Sequence, residues 1–470
     1  MTKFAKPTLE VLEDRWVPAV TYDWVGDFSD RFSDWQNWRN PAGVAQVNVI
    51  PLAADTARYG LTDNNCRFDA ANVAGQAHIS LAALEFNGYD GTATMNRTLA
   101  VDTIMQENGG VLDIQGAALR IDARRYTVSG GTVAGTGKLR IAGANAELKV
   151  LGPGATFTVR TLEVDQTATA TIDALLQLYG QTASFAGTTD WKSGQLMLGN
   201  GTTATNTGQF NAKGDSDVTE QSNSRFVNQG ILTKDESGAA TGSTRFLTQF
   251  DNLGSGAAVN VQKGQLELLK KSDNTGWYGI AAGAFVTFAS NDQNNPATFG
   301  AGTQFTGAGT TYFANGVLVN INAGVTVNFA TDVWVAGVGT QVGTGGKIVT
   351  QRRLFWYEGT IQASVDAFGN VSLMDTNNKT LANGTFKSYA QTTFAGNGAF
   401  VLKGATFDNY GTFVIQTAST ITRANQAGGW TDGTFVNNRN DQGLVGTVVK
   451  ASGARTALNV LFVNKGYMNL

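Results

Sequence analysis

The 470-residue chain is poor in several residue types, and each shortage excludes a class of protein. It contains one cysteine, Cys66, one histidine, His78, and six prolines. A single cysteine allows no intrachain disulfide, which excludes a disulfide-stapled scaffold but not an exported protein. The net charge is −3 and charged residues make up 15%, so the chain lacks the basic surface that nucleic acid requires. No run of about 18 apolar residues occurs, so no transmembrane helix is predicted.

Glycine, by contrast, is abundant at 57 residues, and hydrophobic residues reach 42%. This hydrophobic content argues against disorder. Short runs of alternating apolar and polar residues are separated by clusters of Gly, Asn, Asp and Ser, a pattern typical of strands and turns. No stretch combines helical periodicity with caps over three turns. We therefore predict an all-β protein.

One short phrase recurs along the chain: Phe, any residue, Asn, and often a nearby Gly. It occurs at 226–232, 250–254, 407–413 and 462–468, with shorter copies at 313–316 and 435–437. Neighbouring copies are 24, 28 and 27 residues apart, and the gap of 94 from 313 to 407 is close to four such steps. We predict that Phe points inward, that Asn and Gly form a corner, and that stacked Asn amides form a hydrogen-bonded ladder.

A second phrase is Gly, any residue, Leu, any residue, then Leu or Ile. It occurs at 110–114, 137–141, 194–198 and 264–268, and the first two copies are again 27 residues apart. Because side chains alternate along a strand, this phrase predicts strands with Leu and Ile inward and polar residues outward.

Spacings of 24 to 28 residues favour one solenoid coil per repeat over propeller blades of about 40–45 residues. Leucine-rich or βαβ repeats would also require helices between the strands. We predict a right-handed parallel β-helix over residues 61–470, with roughly 18 coils of roughly 20–28 residues each. An array of β-sandwiches is the alternative fold.

Residues 1–19 differ in character from the rest of the chain. Charged residues interrupt their apolar stretch, which a standard signal peptide does not allow. The stretch 9–19, LEVLEDRWVPA, resembles the LExLEDRxVPA opening of many large, exported proteins of planctomycete bacteria. This resemblance implies export or surface display and leaves open whether the segment is removed. A short amphipathic helix packed on the first coil is the alternative interpretation.

Residues 20–60 hold a dense group of aromatic side chains: Tyr22, Trp24, Phe28, Phe32, Trp35, Trp38 and Tyr59. We predict that this segment is an aromatic-rich N-terminal cap, because the open end of a solenoid must be protected from edge pairing. A platform for stacking sugars is the alternative. The segment is similar to the W-x-G, N-W, P and D opening of bacterial autotransporter-like and haemagglutinin-like β-solenoid surface proteins. That resemblance also implies a surface solenoid.

Residue types that could carry chemistry are few and scattered. His78 alone cannot build a histidine-based metal site, nor can Cys66 build a thiolate site. The richest charged set, Asp113, Arg120, Asp122, Arg124 and Arg125, is interpreted as outward solvated charge. Two oxygen-rich stretches, 215–217 and 291–295, match no EF-hand loop, and the Thr-rich stretch 167–171 occurs once. We predict no catalytic residues, no cofactor and no metal site.

The predicted function is that of a non-enzymatic exported or cell-surface solenoid, adhesin-like or envelope-structural. Expected partners are surface glycans, matrix or further copies of the chain, without nucleic acid. A β-helix polysaccharide lyase or glycoside hydrolase is the alternative. The sequence stops shortly after the phrase at 462–468 without a visible cap, so we expect either a covering molecule at that end or a longer ancestral chain.

Overall fold

The chain folds into an all-β solenoid of about 17 turns, in which parallel strands of successive turns stack on one another. The computed structural model describes residues 19–44, 48–73, 75–152, 154–180, 182–235, 242–290, 292, 294–426, 429–430, 432–439, 443–451 and 455–469. The predicted parallel β-helix is confirmed, and the sandwich array is wrong. The segment 1–19 lies outside the described residues except for Ala19.

Each full turn contributes one strand to each of three faces, which we call the first, second and third faces in chain order. Three long strands span both the first and second faces: Ile79–Asn87, Leu99–Glu107 and Arg120–Val128. The other first-face strands are Lys138–Ile141, Thr161–Val164, Thr182–Phe185, Thr203–Asn206, Arg225–Asn228, Gln249–Asn252, Ser272–Asn274, Ala297–Phe299, Leu318–Ile321, Gln341–Thr344, Gly359–Ile361, Lys379–Ala382, Phe400–Lys403, Ile421–Arg423 and Leu458–Asn459.

The other second-face strands are Thr21–Trp24, Thr56–Tyr59, Glu147–Val150, Thr169–Asp173, Thr188–Ser193, Gln209–Ala212, Ile231–Lys234, Ala258–Val261, Trp277–Ile280, Gln304–Thr306, Thr326–Phe329, Lys347–Thr350, Ser364–Ala367, Thr385–Ser388, Ala405–Asn409, Gly433–Asn437 and Leu461–Asn464.

The third-face strands are Cys66–Phe68, Thr92–Met95, Val111–Ile114, Thr132–Gly135, Ala155–Phe157, Leu176–Leu178, Leu196–Leu198, Asp217–Glu220, Ser243–Phe246, Gln265–Leu268, Phe285–Ala289, Thr310–Ala314, Asp332–Val335, Leu354–Trp356, Val371–Leu373, Thr392–Phe394, Thr412–Ile415, Thr447–Lys450 and Tyr467–Asn469.

Three short elements lie outside these stacks. A 3-10 helix, Trp35–Asn37, leads into the edge strand Trp38–Arg39, and a small antiparallel hairpin pairs Asn425–Gln426 with Gly429–Trp430. The hairpin lies between the first-face and second-face strands of a late turn. Together with the long connection from Asn437 to Thr447, it accounts for the longer repeat in that part of the chain.

Alternation along each strand builds one continuous core. In strand Gln265–Leu268, for example, the two Leu side chains are buried while the Gln and Glu side chains are partly exposed. The buried side chains form a single hydrophobic cluster that extends from Tyr22 to Val448. Because each turn buries its apolar side chains against the turns before and after it, the rod gains stability turn by turn.

Turn length varies while register is kept. On the third face, the Cα partner of Leu354 is Val371, 17 residues later, and the partner of Thr412 is Thr447, 35 residues later. The other third-face pairs are separated by 19 to 28 residues, as Thr92 with Val111 and Asp217 with Arg245 illustrate. The predicted range of 20–28 is therefore correct for most turns and too narrow for a few.

Asn side chains of the Phe-x-Asn phrase form amide ladders at two different corners, and the first ladder also includes Asn206, which follows Ala204 and Thr205. Between the first and second faces, Asn206 donates from Nδ2 to Oδ1 of Asn228 at 2.7 Å, and Asn228 donates likewise to Asn252 at 2.8 Å. Between the second and third faces, Asn409 donates to Asn437 at 2.9 Å and Asn437 to Asn464 at 2.7 Å. The predicted ladder is confirmed, but it is not a property of every turn.

Two of the predicted repeat steps are wrong because they join different faces. Phe313 lies on the third face and the Asn315 that follows it has a φ of 52°, so this copy belongs to neither ladder. Phe407 lies on the second face, so the 94 residues between Phe313 and Phe407 do not represent four repeats of one corner. The step of 27 between the Gly-x-Leu copies at 110 and 137 likewise joins the third face to the first.

The aromatic residues of 20–60 are packed over the first turn. Trp24, Phe32, Trp38 and Tyr59 are all fully buried. The Trp24 and Trp38 ring centroids lie 5.1 Å apart, and strand Thr21–Trp24 pairs in parallel with Thr56–Tyr59 and antiparallel with Trp38–Arg39. Buried rings cannot stack on sugars, so this group covers the end of the core as expected of a cap. Phe28 alone is largely exposed, at 62%.

At the other end, the last turn exposes apolar side chains. Leu461 is 61% exposed and Tyr467 is 69% exposed.

Lys379 provides a test of the core by pH. Its side chain is buried, and Nζ donates to the carbonyls of Asp375 at 2.9 Å and Asn377 at 2.7 Å. Burial lowers the pKa of Lys379 to about 8 from an ordinary 10.5. The unfolded chain therefore binds more protons than the folded chain between these values, and this residue makes stability rise with pH across that window.

We expect Lys379→Met to flatten this rise, by about 3 kcal/mol at most. The measurement is the urea midpoint of wild type and of Lys379→Met between pH 7.5 and about 10. Subtracting one profile from the other removes the contribution of groups that titrate in both proteins. Lys213→Met is the matched control, because that lysine is partly exposed and pairs with Asp190 on the surface. Parallel stability profiles for wild type and Lys379→Met would contradict the expectation.

Candidate functional surface

His78 and Cys66 belong to no group of potential metal ligands among the described residues. His78 is half-buried in a bend and immediately precedes strand Ile79–Asn87, rather than lying within a strand. Cys66 is buried and accepts a hydrogen bond from the Tyr59 hydroxyl at 3.3 Å. Burial raises the pKa of the Cys66 thiol, which makes it a poor nucleophile.

The charged set around residue 120 is divided between faces and between turns. Asp113 lies on the third face and Asp122 on the first, so these carboxylates do not form a facing pair. Arg124 and Arg125 both bind Asp102 of the preceding turn, which lowers the pKa of Asp102. Arg120 pairs with Asp122, so four of the five charges are paired rather than simply solvated.

Pairing between turns is a general feature of the outward charges. The pairs that join consecutive turns include Lys138–Glu163, Arg140–Asp165, Lys213–Asp190, Arg245–Asp217, Lys347–Asp366 and Arg353–Asp332. Such exposed pairs each contribute little to stability, about 1 kcal/mol or less. A charged side chain in such a pair must exchange or share its partner in order to bind a charged ligand.

The oxygen-rich stretches do not build a cation site in the part of the chain that the structure describes. No group of three or more His, Cys, Asp or Glu side chains there is placed to hold a metal. Asp217 binds Arg245, and Asp215 lies 3.6 Å from Lys234 Nζ. In 291–295, Asp292 accepts hydrogen bonds from the Asn294 backbone and the Asn295 side chain, while residues 291 and 293 lie outside the described residues.

A row of outward side chains on the third face is the most distinctive surface of the rod. Cα partners on consecutive turns bring together Asp217, Arg245, Glu267, Thr287, Tyr312, Trp334 and Phe355. We call these seven residues the third-face row; Thr287 is buried, and the other six are at least partly exposed. At about 4.8 Å between strands, six steps extend the row over about 29 Å along the rod axis. The row begins with charged residues and ends with aromatic ones.

The aromatic half of the row is widened by two neighbours. Phe285 and Tyr357 join Tyr312, Trp334 and Phe355 in a cluster of partly exposed rings, which we call the aromatic ladder. The Trp334 ring centroid lies 5.8 Å from Tyr312, 5.5 Å from Phe355, 5.8 Å from Tyr357 and 6.3 Å from Phe285. Rings held this way present a continuous apolar surface on a face whose outward residues are mostly polar.

The polar atoms of the ladder differ in what they can offer a ligand. The Trp334 indole Nε1 is buried and has no hydrogen-bond partner among the described residues, so a ligand on the surface does not reach it. Partial burial, with smaller effects from Tyr357 and Glu358, raises the pKa of Tyr312. The Tyr312 phenol is therefore a neutral hydroxyl at neutral pH.

A recess of about 350 Å³ adjoins the aromatic ladder and is lined by Asp332, Arg352, Arg353 and Phe368 together with Gly369, Asn370 and Ala390. Arg353 stacks over the Phe355 ring at 5.2 Å. Asp332 accepts hydrogen bonds from Arg353 Nε at 3.1 Å and Arg352 Nε at 3.2 Å. Burial opposes ionisation of Asp332, but these two arginines outweigh it and lower its pKa.

A second set of rings borders the same recess. Phe368, Tyr389 and Tyr410 each follow a second-face strand, and their rings stack one per turn at the corner. The centroid distances are 4.8 and 5.3 Å, and the ring planes differ by 7° and 11°. We call this the corner stack. Because Phe368 is 49% exposed, the stack adds to the apolar surface beside the recess.

The charged end of the row forms a groove of about 550 Å³. It is lined by Gly194, Gln195, Asp215, Ser216, Asp217, Gly242, Ser243, Arg245 and Glu267. Both Asp217 oxygens accept from Arg245, at 2.8 and 2.6 Å, and Glu267 accepts from the Ser243 hydroxyl at 2.6 Å. Carboxylates and an arginine from consecutive turns thus meet in one groove.

The sequence interpretation did not identify the aromatic ladder. Exposed aromatic side chains were considered only at 20–60, as the alternative to a cap, and most of those rings are buried. The signal that identifies the ladder is a single aromatic residue between two apolar residues, as in Val333-Trp334-Val335 and Leu354-Phe355-Trp356. In such a triplet the flanking side chains point inward and the middle one outward. Recognising it required knowing which strands share a face.

These features define a β-solenoid with an aromatic and charged row along one face. Comparison with protein-family models, curated proteins and solved structures finds no match. Over the described ranges, no helix has the length and apolar character needed to cross a membrane.

Proposed function

We propose that the protein is a non-enzymatic, exported or cell-surface solenoid that binds partners along its side, as an adhesin or an envelope component does. The observation that carries this proposal is the third-face row, which offers an extended apolar and polar strip on a regular rod. The resemblance of residues 9–19 and 20–60 to exported surface proteins supports the location. Surface glycans, matrix or further copies of the chain are the partners that such a strip suits.

A polysaccharide lyase or hydrolase is the second candidate, and a specific observation favours it. The groove at the charged end brings Asp217, Arg245 and Glu267 together from consecutive turns. Paired carboxylates on one face can serve as acid and base toward a glycosidic bond. Against this role, Arg245 occupies both oxygens of Asp217.

Localisation tests the proposed function. We expect the tagged protein in the envelope or extracellular fraction, with digestion by protease added to intact cells. A purely cytosolic protein would contradict the surface role. Incubation with a panel of polysaccharides separates the two candidates, because a scaffold releases no reducing ends and no unsaturated products. Release that is abolished by Glu267→Gln would instead establish the enzyme.

A further inference from the structure

The geometry of the third face points to one ligand class, and we infer that the third-face row binds an uncharged, linear polysaccharide lying parallel to the rod axis. This inference deepens the proposed function and rests on its non-enzymatic part. It names a site and a ligand chemistry for the face.

The shape of the row favours a linear chain. Its seven residues recur once per turn over about 29 Å, so a linear ligand lying along the axis meets side chains from successive turns. A compact small molecule would contact only two or three turns. A globular partner would require a broader surface than one row and its neighbours provide.

The aromatic ladder favours sugar rings. Pyranose rings have apolar faces rich in C–H groups, which pack on aromatic rings, and hydroxyl edges that need hydrogen-bonding partners. The ladder provides five partly exposed rings. Polar partners flank the rings: the Tyr312 hydroxyl on one turn, and the Arg353 guanidinium, 58% exposed, beside Phe355.

The charges of the row favour an uncharged chain over a polyanion or a polycation. At one end, Asp215, Asp217 and Glu267 accompany Arg245, and Lys234 lies beside Asp215. At the other end, Arg352 and Arg353 share Asp332. A polyanion meets carboxylates at the first end and a polycation meets guanidinium groups at the second. Hydroxyl groups, in contrast, bind well to both members of an ion pair.

The test is native affinity electrophoresis of the purified full chain in gels containing hydroxyethyl cellulose, xylan or glucomannan, with polygalacturonate as the anionic probe. We expect retardation by at least one neutral polymer and weaker retardation by polygalacturonate. Trp334→Ala and Tyr312→Ala should each weaken binding about ten-fold or more, since central aromatic residues dominate such interfaces. Trp334→Ala removes no hydrogen bond to the described residues.

Trp277→Ala is the matched control. Trp277 is also half-buried and begins a strand, but it lies on the second face. We expect this variant to bind within about two-fold of wild type, because it is remote from the row. Circular dichroism and a urea midpoint check that each variant is folded, and Tyr312→Ala replaces Trp334→Ala if the latter is not.

The following outcomes would overturn the inference: no retardation by any neutral polymer, stronger retardation by polygalacturonate, unchanged binding by the folded ladder variants, or equal loss in Trp277→Ala. Reducing ends are assayed in the same samples. Cleavage of a bound neutral polymer would contradict the non-enzymatic function and leave the site in place. Absence of both binding and cleavage would remove the site and leave the function standing.

Discussion

Trp38→Ala should loosen the N-terminal turns by about 3–5 kcal/mol, the range for removing a large buried aromatic side chain. Trp38 is fully buried, and its ring centroid lies within 6 Å of Trp24, Phe32 and Tyr59. Its Nε1 donates to the Phe32 carbonyl at 2.9 Å, so the substitution also leaves a buried acceptor unpaired. The end of the core would then be open to water.

Hydrogen exchange is the appropriate measurement here, because this loss is confined to one end of the solenoid, where a single global value would hide it. Amides of strands Thr56–Tyr59 and Cys66–Phe68 should exchange about a hundred-fold faster or more, while those of the middle turns keep their protection. Trp35→Ala is the matched control, since Trp35 is only half-buried. If the amides of these strands exchanged at the same rate in Trp38→Ala and Trp35→Ala, the aromatic group would not seal the core.

Asn228→Ala should cost about 2–4 kcal/mol, because the amide is the centre of a ladder. Asn228 is fully buried and makes three hydrogen bonds. It accepts from Asn206 at 2.7 Å and donates to Asn252 at 2.8 Å and to the Ala258 carbonyl at 3.0 Å. Truncation leaves each of these partners short of a hydrogen bond in the core, where unsatisfied polar groups are most costly.

The urea midpoint and exchange of strands Arg225–Asn228 and Gln249–Asn252 measure this loss. Asn211→Ala is the control: Asn211 points outward from strand Gln209–Ala212, is half-buried, and donates to Asp190 at 2.8 Å. Its removal should cost less than about 1 kcal/mol, because water replaces the lost bond. Comparable losses at both positions would mean that the ladder contributes no more than a surface hydrogen bond.

The solenoid could be predicted from the sequence because its local rules are simple. Alternation fixes which side chains of Gln265–Leu268 face the core, and corner residues such as Asn228 recur near the turn period. The assignment of strands to faces could not be predicted. Phe-x-Asn fits the corner after Arg225–Asn228 as well as the corner after Ala405–Asn409, so the same phrase occurs on different faces.

The candidate surface was missed for the same reason. Tyr312, Trp334 and Phe355 are 22 and 21 residues apart, and each belongs to a different short strand of ordinary composition. Only the parallel register places them side by side. The aromatic side chains that are dense in sequence, such as Trp24 and Trp38, are buried. Aromatic residues that are close together in the sequence lie in the core, whereas aromatic residues spaced one turn apart form the exposed site.

The amide ladders have aligned dipoles along the rod axis. In both ladders every side-chain Nδ2 donates toward the following turn, from Asn206 to Asn252 and from Asn409 to Asn464. The amide dipoles therefore point the same way and polarise one another, as peptide dipoles do in a helix. Each ladder carries partial positive charge toward the C-terminal turns and partial negative charge toward the N-terminal ones. The two ends of each ladder thus differ in the charge they attract, even where their strands look alike.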